Sequence, residues 1–335
     1  MSILLHRPEL SPARSSFTVP AVTATPGNHP EPQRAEWISP GQRQAFEDAE
    51  TDAHRLASAP AGWVERLGSD AIVSFQTDAA RDHLLQGLEH WQHRAEWTPQ
   101  RVFTRFMPTR NAERVSPELL HGDTSKSWKT AVKEAGIRYG LDIAAGYSHG
   151  LFLDQRLNRA RLHSLNPRRV LNTFAYTCSF SVVAALAGAE TLSVDLSRKS
   201  LNRGRRNFEL NGLNPAEHRF VTGDALELLP KLATQNERFD AIILDPPTFS
   251  RSPDGRRWRV VDDFEHLLIA ALEVAAPKCA ILLSTNCTKL NPAKLKRRAH
   301  LCARSRYKTA DYAELGTPVD FPPGHGASTV WMMTR

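Results

Sequence analysis

From residue 169 onward the apolar and polar positions of the chain follow a regular rhythm. Short apolar runs at 169–174, 190–195, 218–222, 239–245, 279–285 and 328–334 have the length and aliphatic content of buried strands. Between them, stretches at 179–188, 198–211, 225–235, 262–275 and 291–304 carry apolar residues at helical spacing, and Asn211-Gly212 supplies a stop signal for the second. Strand–helix alternation of this kind predicts an α/β fold with a mostly parallel sheet covered by helices on both faces. In such sheets a ligand lies at the carboxyl ends of the strands, near the point where the strand order reverses.

The pattern upstream is different. A polar helix is expected over 41–58, strands over 70–76 and 101–107, and a helix near 78–92. Two further strands, 137–144 and 149–153, are expected to pair across a Gly-containing turn. Residues 46–160 therefore read as a small α+β module ending in a β-hairpin, ahead of a larger domain over 161–335. Residues 1–45, with seven prolines, read as a flexible tail.

Composition narrows the function classes. Of the 335 residues 41% are hydrophobic, which excludes wholesale disorder, and no apolar run reaches the roughly 20 residues that span a bilayer. The N-terminus lacks a signal-peptide core, so a cytoplasmic location is the default expectation. Cys178, Cys279, Cys287 and Cys302 show no CxxC spacing; free thiols and no metal site are expected. The formal charge is +7. Its distribution is more informative: four arginines against one acid over 250–259, and seven Lys or Arg with no acid over 291–308. Both segments suit solvated surface. They equally suit a phosphate-binding rim, with Phe249 and Trp258 beside Arg251, Arg256, Arg257, Lys296 and Arg297 to stack on unpaired bases of an RNA partner.

The strand ends hold the candidate chemistry. The run from Asn172 to Phe180 is a tight turn of mostly small residues that opens a helix, without the G-x-G-x-x-G fingerprint. Asp195, at the tip of the second strand, can accept both ribose hydroxyls of an adenosyl cofactor, or cap the following helix, a task Ser197 can fill instead. Asp224, after the third strand, can accept from an adenine amino group or cap its own helix. Asp245-Pro246-Pro247 ends the fourth strand, where consecutive prolines stop the strand and rigidify the loop that presents the acid.

In sequence order, Asn172-x-Phe174-x-Tyr176-Thr177, Asp195-x-Ser197, Asn207-x-Glu209-x-Asn211 and Asp245-Pro-Pro-x-Phe249 resemble the bacterial large-subunit ribosomal RNA methyltransferases, a family with cytosine-C5 and guanine-N7 members. Phe152-Leu-Asp154-Gln155-Arg156 is similar to the segment that precedes the family's cofactor domain. The resemblance spans about 137–290. It implies a class I, Rossmann-like, seven-stranded sheet, S-adenosyl-L-methionine as cofactor, and a pocket lined by Asn172, Phe174, Tyr176, Asp195, Ser197, Asp224, Asp245 and Pro246. Two departures stand out: Cys178-Ser179 replaces the glycine usual after Tyr-Thr, and residues 1–60 do not resemble the RNA-binding barrel common among the cytosine enzymes.

The base is read from the fifth strand end, Ser284-Thr-Asn-Cys287-Thr. Cytosine carbon 5 is a poor nucleophile and needs a thiolate to add at carbon 6. By the resemblance Cys287 takes that nucleophile's place, with Asp245 beside it. Guanine N7 attacks directly and needs no cysteine, and the Asp-Pro-Pro-Thr-Phe-Ser wording is closer to those members. A small-molecule methyltransferase and a non-catalytic RNA-binding protein are the remaining alternatives.

Overall fold

The computed structural model describes residues 34–108, 116–145, 148–251, 255, 257–306 and 308–335, except residue 96. Its N-terminal part is β1 (Glu36–Trp37), α1 (Pro40–Asp48), β2 (Ala53–Ala59), β3 (Gly62–Leu67), β4 (Asp70–Phe75), α2 (Asp78–Ala95), β5 (Arg101–Phe106) and β6 (Glu118–His121). The six strands form one sheet in chain order, antiparallel except for the β4–β5 pair, which α2 connects as a crossover helix. A hairpin follows, β7 (Lys129–Glu134) and β8 (Ile137–Asp142). Its two-residue turn, Ala135-Gly136, has φ of 50° and 75°, the left-handed pair that matches the natural twist of a hairpin.

The second half comprises α3 (Arg156–Leu165), β9 (Arg169–Thr173), α4 (Ser179–Leu186), β10 (Glu190–Asp195), α5 (Arg198–Leu210), β11 (Arg219–Thr222), α6 (Ala225–Thr234), β12 (Phe239–Leu244), a short antiparallel hairpin β13 (Phe249–Arg251) and β14 (Arg257–Arg259), α7 (Val260–Glu273), β15 (Ala275–Thr285), α8 (Pro292–Ser305), β16 (Ala310–Ala313) and β17 (Ser328–Thr334). Seven strands form one sheet in the order β11-β10-β9-β12-β15-β17-β16. β11, β10, β9, β12 and β15 run parallel, and β17 is antiparallel to its neighbours. The order reverses between β9 and β12, so the ends of β9, β10 and β12 are where a ligand belongs. Apolar side chains cover both faces: Ile242, Leu244, Ile281 and Leu283 on one, Val170, Ile243, Leu282 and Trp331 on the other. Among the described residues no helix is long and apolar enough to cross a membrane.

Several local expectations are corrected. The helix expected over 41–58 ends at Asp48, and 53–59 is a strand instead. Ser39 and Gln42 form a reciprocal capping box that starts α1 with Pro40 in its first turn. The hairpin is β7–β8, whereas 149–153 form no strand and lead through a 3-10 turn at Leu153–Gln155 into α3, which has no counterpart in the sequence reading. β16 is likewise additional. Of the tail expected over 1–45, residues 1–33 lie outside the described residues, while β1 and the start of α1 occupy 36–45.

Candidate functional site

The loop after β9 bends sharply. Phe174, Tyr176 and Cys178 all have left-handed φ, of 53°, 48° and 60°. Backbone of this kind is strained for residues with a side chain and persists only where neighbours hold it. The Ala175 amide donates to the Val194 carbonyl at 2.9 Å, the Tyr176 hydroxyl to Ser148 O at 2.6 Å, and Asn207 Nδ2 to Thr177 O at 2.9 Å. Asn172 is buried below the loop, its amide donating to Ser181 Oγ at 2.9 Å. The left-handed φ at 178 gives a physical reason for glycine there. Cysteine is accommodated because Gly204 of α5 faces it: a Cβ at 204 would lie 2.4 Å from Cys178 Sγ. Burial pushes that thiol up to about 12, so it stays protonated.

Asp195 ends β10 with Oδ2 accepting from Tyr176 N at 2.8 Å and Oδ1 from Ser197 N at 2.7 Å. It thereby ties the strained loop to the second strand end, and the remaining lone pairs of its carboxylate stay available. Desolvation raises its pKa, opposed by the two amides. Ser197, not Asp195, caps α5 by accepting from Ser200 N at 3.1 Å. Asp224 caps α6, accepting from Leu226 N at 2.9 Å. It also lines a small cleft with Phe174, Leu196, Leu226, Arg257 and Trp258. Ser250 and Asp263 complete the lining; the apolar side chains beside the Asp224 carboxylate suit the faces and amino edge of an adenine, so the residues present fit an adenosyl group.

Asp245 leaves β12 half-buried at the reversal point, and burial raises its pKa to about 6. Ser284 hydrogen-bonding favours its charged form, Asp154 opposes it, and Arg159 supports it. Pro246 is buried, and the Pro247 carbonyl accepts from Trp258 Nε1 at 2.8 Å. The β13–β14 hairpin thus grows straight out of the Asp-Pro-Pro loop. Its register pairs Phe249 with Arg259 and Arg251 with Arg257, which puts these four exposed side chains on one face. Phe249 is 55% exposed. Trp258, expected to stack on a base, points the other way: it is buried and packs on Phe174 at 5.7 Å between centroids. Arg256 lies outside the described residues.

Lys296 and Arg297 are exposed on α8. The next residue, Arg298, donates to Val261 O at 2.7 Å, which brings α8 beside the base of the hairpin. Cys287 follows β15, the neighbour of β12, but is only 6% exposed and sits in an apolar cluster with Val260, Leu290 and Leu295. A cleft of about 720 Å³ beside Trp37, Arg43, His90 and Trp91 lies on the N-terminal part, far in sequence from the strand ends.

Sequence reasoning quoted Asn207 and Asn211 without a role. Asn207 Oδ1 accepts from Gly140 N at 2.8 Å, and Asn211 brackets Arg138 through Oδ1 and Nδ2 at 2.9 and 2.7 Å, so the pair clamps β8 onto α5. It quoted Ser284 too without a role and missed Asn158 altogether. Both are buried polar groups beside Gln155, and only the fold brings them together.

Strand order, a reversal point between β9 and β12, and acids at or just after the ends of β10, β11 and β12 define a Rossmann-like methyltransferase fold. The fold is shared with solved structures: SMU.776, a candidate methyltransferase complexed with SAH, superposes with a TM-score of 0.74 at 26% identity, over 88% of this chain and 78% of that one. A SAM-dependent methyltransferase from Agrobacterium tumefaciens gives 0.67 at 21% identity, over 84% and 90%. Residues 52–331 match the S-adenosylmethionine-dependent methyltransferase family, and the chain belongs to it. It is 34% identical over 174 residues to ribosomal RNA large subunit methyltransferase I of Aeromonas salmonicida, 51% of this chain and 43% of that protein. It is 31% identical over 261 residues to a ribosomal RNA large subunit methyltransferase of Deinococcus radiodurans, 74% of this chain and 62% of that one. The chain thus spans less than two thirds of these relatives' lengths.

Proposed function

We propose that this chain methylates a base of large-subunit ribosomal RNA, using Asp195, Asp224 and the 172–178 loop to hold S-adenosylmethionine and Asp245 to face the base. The observation that carries this reading is the β13–β14 hairpin: it continues directly from Asp245-Pro246-Pro247 and turns Phe249, Arg251, Arg257 and Arg259 outward on one face. Guanidinium groups neutralise backbone phosphates, and an exposed aromatic ring stacks on an unpaired base. Lys296 and Arg297 extend the rim. RNA held there lies over the acid at the strand tip. The relatives' names supply the RNA class.

When bound, S-adenosylmethionine supplies an electrophilic methyl group. The chain's part is to position the base and manage its charge. For the base we favour cytosine, methylated at carbon 5. The Cys287 thiolate adds to carbon 6, the displaced π electrons make carbon 5 nucleophilic, and after methyl transfer loss of the carbon-5 proton to water expels the thiolate and restores the ring double bond. Asp245, with its pKa raised to about 6, can hold a proton toward ring N3 as negative charge grows there. Guanine N7 is the second reading, favoured by the burial of Cys287 among apolar side chains.

Transfer of labelled methyl groups to ribosomal RNA, followed by nucleoside mass analysis, tests both. The expected product is 5-methylcytosine, lost in Cys287→Ala and in Asp245→Asn. A full-rate Cys287→Ala enzyme making 7-methylguanosine would replace the cytosine reading, and no transfer to any RNA by the intact protein would end the RNA reading.

A further inference from the structure

We infer that Trp331, Asn158, Gln155 and Ser284 form a one-way hydrogen-bond chain whose role is to aim the Ser284 hydroxyl at Asp245; the inference rests on the reading of Asp245 as the acid that faces the base. Trp331 Nε1 donates to Asn158 Oδ1 at 2.8 Å. Asn158 Nδ2 donates to Gln155 Oε1 at 2.9 Å, and Gln155 Nε2 donates to Ser284 Oγ at 2.9 Å. All four residues are buried, Trp331 and Ser284 completely. The parallel register Leu244↔Leu283 sets Ser284 beside Asp245 at the ends of two neighbouring strands, and a hydroxyl proton turned toward that carboxylate favours its charged form.

The direction of the chain has a single source. An indole N–H can only donate, so the Asn158 oxygen must face Trp331. That leaves only the Asn158 amide nitrogen for Gln155, which must answer with its oxygen. Gln155 then has only N–H to offer Ser284. Ser284 Oγ is already accepting, so its own proton is released toward Asp245. Amide groups ordinarily have two orientations, and the tryptophan removes that freedom at both. Because burial makes an unmade hydrogen bond costly, a flip anywhere in the chain is penalised. The chain also explains why four residues from three elements, β17, the α3 region and β15, converge on one acid. None of them needs to touch substrate: they are positioning residues.

The charged groups acting on Asp245 are Asp154 on the 3-10 turn and Arg159 on α3. Arg159 is in turn engaged by Glu134 at 2.6 Å. None of the chain members is ionisable in the working range, so substitutions in it leave those charges in place. A hydrogen bond donated to a carboxylate favours its charged form; losing it moves the titration upward.

The test is a carboxyl ¹³C titration of Asp245 in the ligand-free protein, assigned with Asp245→Asn, beside the pH profile of kcat for methyl transfer. Wild type should titrate near 6. Ser284→Ala should move the midpoint up by about one pH unit, and Ser284→Thr, which keeps the hydroxyl, should restore it. Trp331→Phe removes the one obligatory donor, and its midpoint should fall between wild type and Ser284→Ala. Melting temperatures recorded alongside separate these shifts from loss of fold. A Trp331→Phe protein that melts lower yet titrates like wild type would reduce the tryptophan to packing and overturn the proposal, as would an unchanged midpoint in Ser284→Ala. Full methyl transfer by Asp245→Asn would instead overturn the reading of Asp245 itself, whatever the midpoints show.

Discussion

The parallel sheet and the joint that fixes the N-terminal part to it share apolar packing but differ in what is added to it. Within the sheet, strands such as β12 and β15 bury near-continuous aliphatic runs, and stabilisation scales with apolar area at about 25 cal/mol per Å². The joint has its own apolar cluster, running from Ala53, Ile72 and Phe103 through Tyr139 to Ala175, Val182 and Phe208, and adds buried polar and charged pairs to it. Arg159 of α3, 1% exposed, makes a bidentate pair with Glu134 of β7 at 2.6 and 2.7 Å. Arg156 binds Asp320 at 2.8 Å, and the same carboxylate accepts from the Arg55 amide at 2.8 Å, which links β2 to the loop before β17. A core tolerates conservative apolar exchanges with small losses, whereas a buried ion pair tolerates loss of neither partner. The joint therefore specifies one docking geometry, and the sheet supplies the bulk stability behind it.

The sharpest way to break this contrast is Arg159→Met. It keeps the volume but strands Glu134 in a dry site, and the expected cost is about 3–5 kcal/mol, read from urea unfolding. Ile281→Val in the sheet core should cost about 0.5–1.5 kcal/mol. If the two losses came out equal, the contrast would fail.

Asp245→Asn comes next, with opposite signs for stability and activity. A raised folded pKa means that Asp245 favours the fold while protonated, below the unfolded carboxylate value near 4, and that this contribution disappears as pH rises through about 6. At pH 8 the asparagine variant should therefore be more stable than wild type, by on the order of 1–3 kcal/mol, with the gain absent at pH 4. Methyl transfer should be lost at both. Thermal melts across that pH range measure it.

Gly204→Ala would normally stabilise a helix by close to 1 kcal/mol. Here the new Cβ meets Cys178, and a net loss of about 1–3 kcal/mol is expected. The double variant Cys178→Gly/Gly204→Ala should recover it. The smallest effect on stability belongs to the hairpin face: Arg257→Ala with Arg259→Ala should change unfolding by no more than about 0.5 kcal/mol. RNA affinity should fall, and the slope of log affinity against log salt should flatten by about 0.7–0.9 for each phosphate contact removed.

The same contrast decides what the sequence could reveal. Strands β9, β10 and β12 are visible because fully buried parallel strands are apolar on both faces, the antiparallel β17 because it too is mostly buried, and Asp195 and Asp245 stand out as acids placed at the tips of β10 and β12. The joint leaves no such trace. Lys129–Glu134 is a polar stretch that becomes a strand by pairing with β8, and Arg159, 25 residues on, neutralises its buried Glu134. Residues 53–59, part of an expected helix, become a strand because the sheet offers partners on both sides. Trp258 and Arg257 are adjacent in sequence but face opposite ways, and only the register of a three-residue ladder separates the buried ring from the exposed guanidinium. The link from Trp331 to Asp245 crosses three elements, and no local pattern encodes it.

Calorimetric titration of S-adenosylmethionine into the wild-type protein and into Asp195→Ala tests the central claim most directly, because cofactor use is common to every base-level reading. The account predicts saturable one-to-one binding by wild type, weakened at least tenfold when the carboxylate that spans the strained loop and the second strand end is removed. No binding by wild type, or equal affinity in the two proteins, would contradict it.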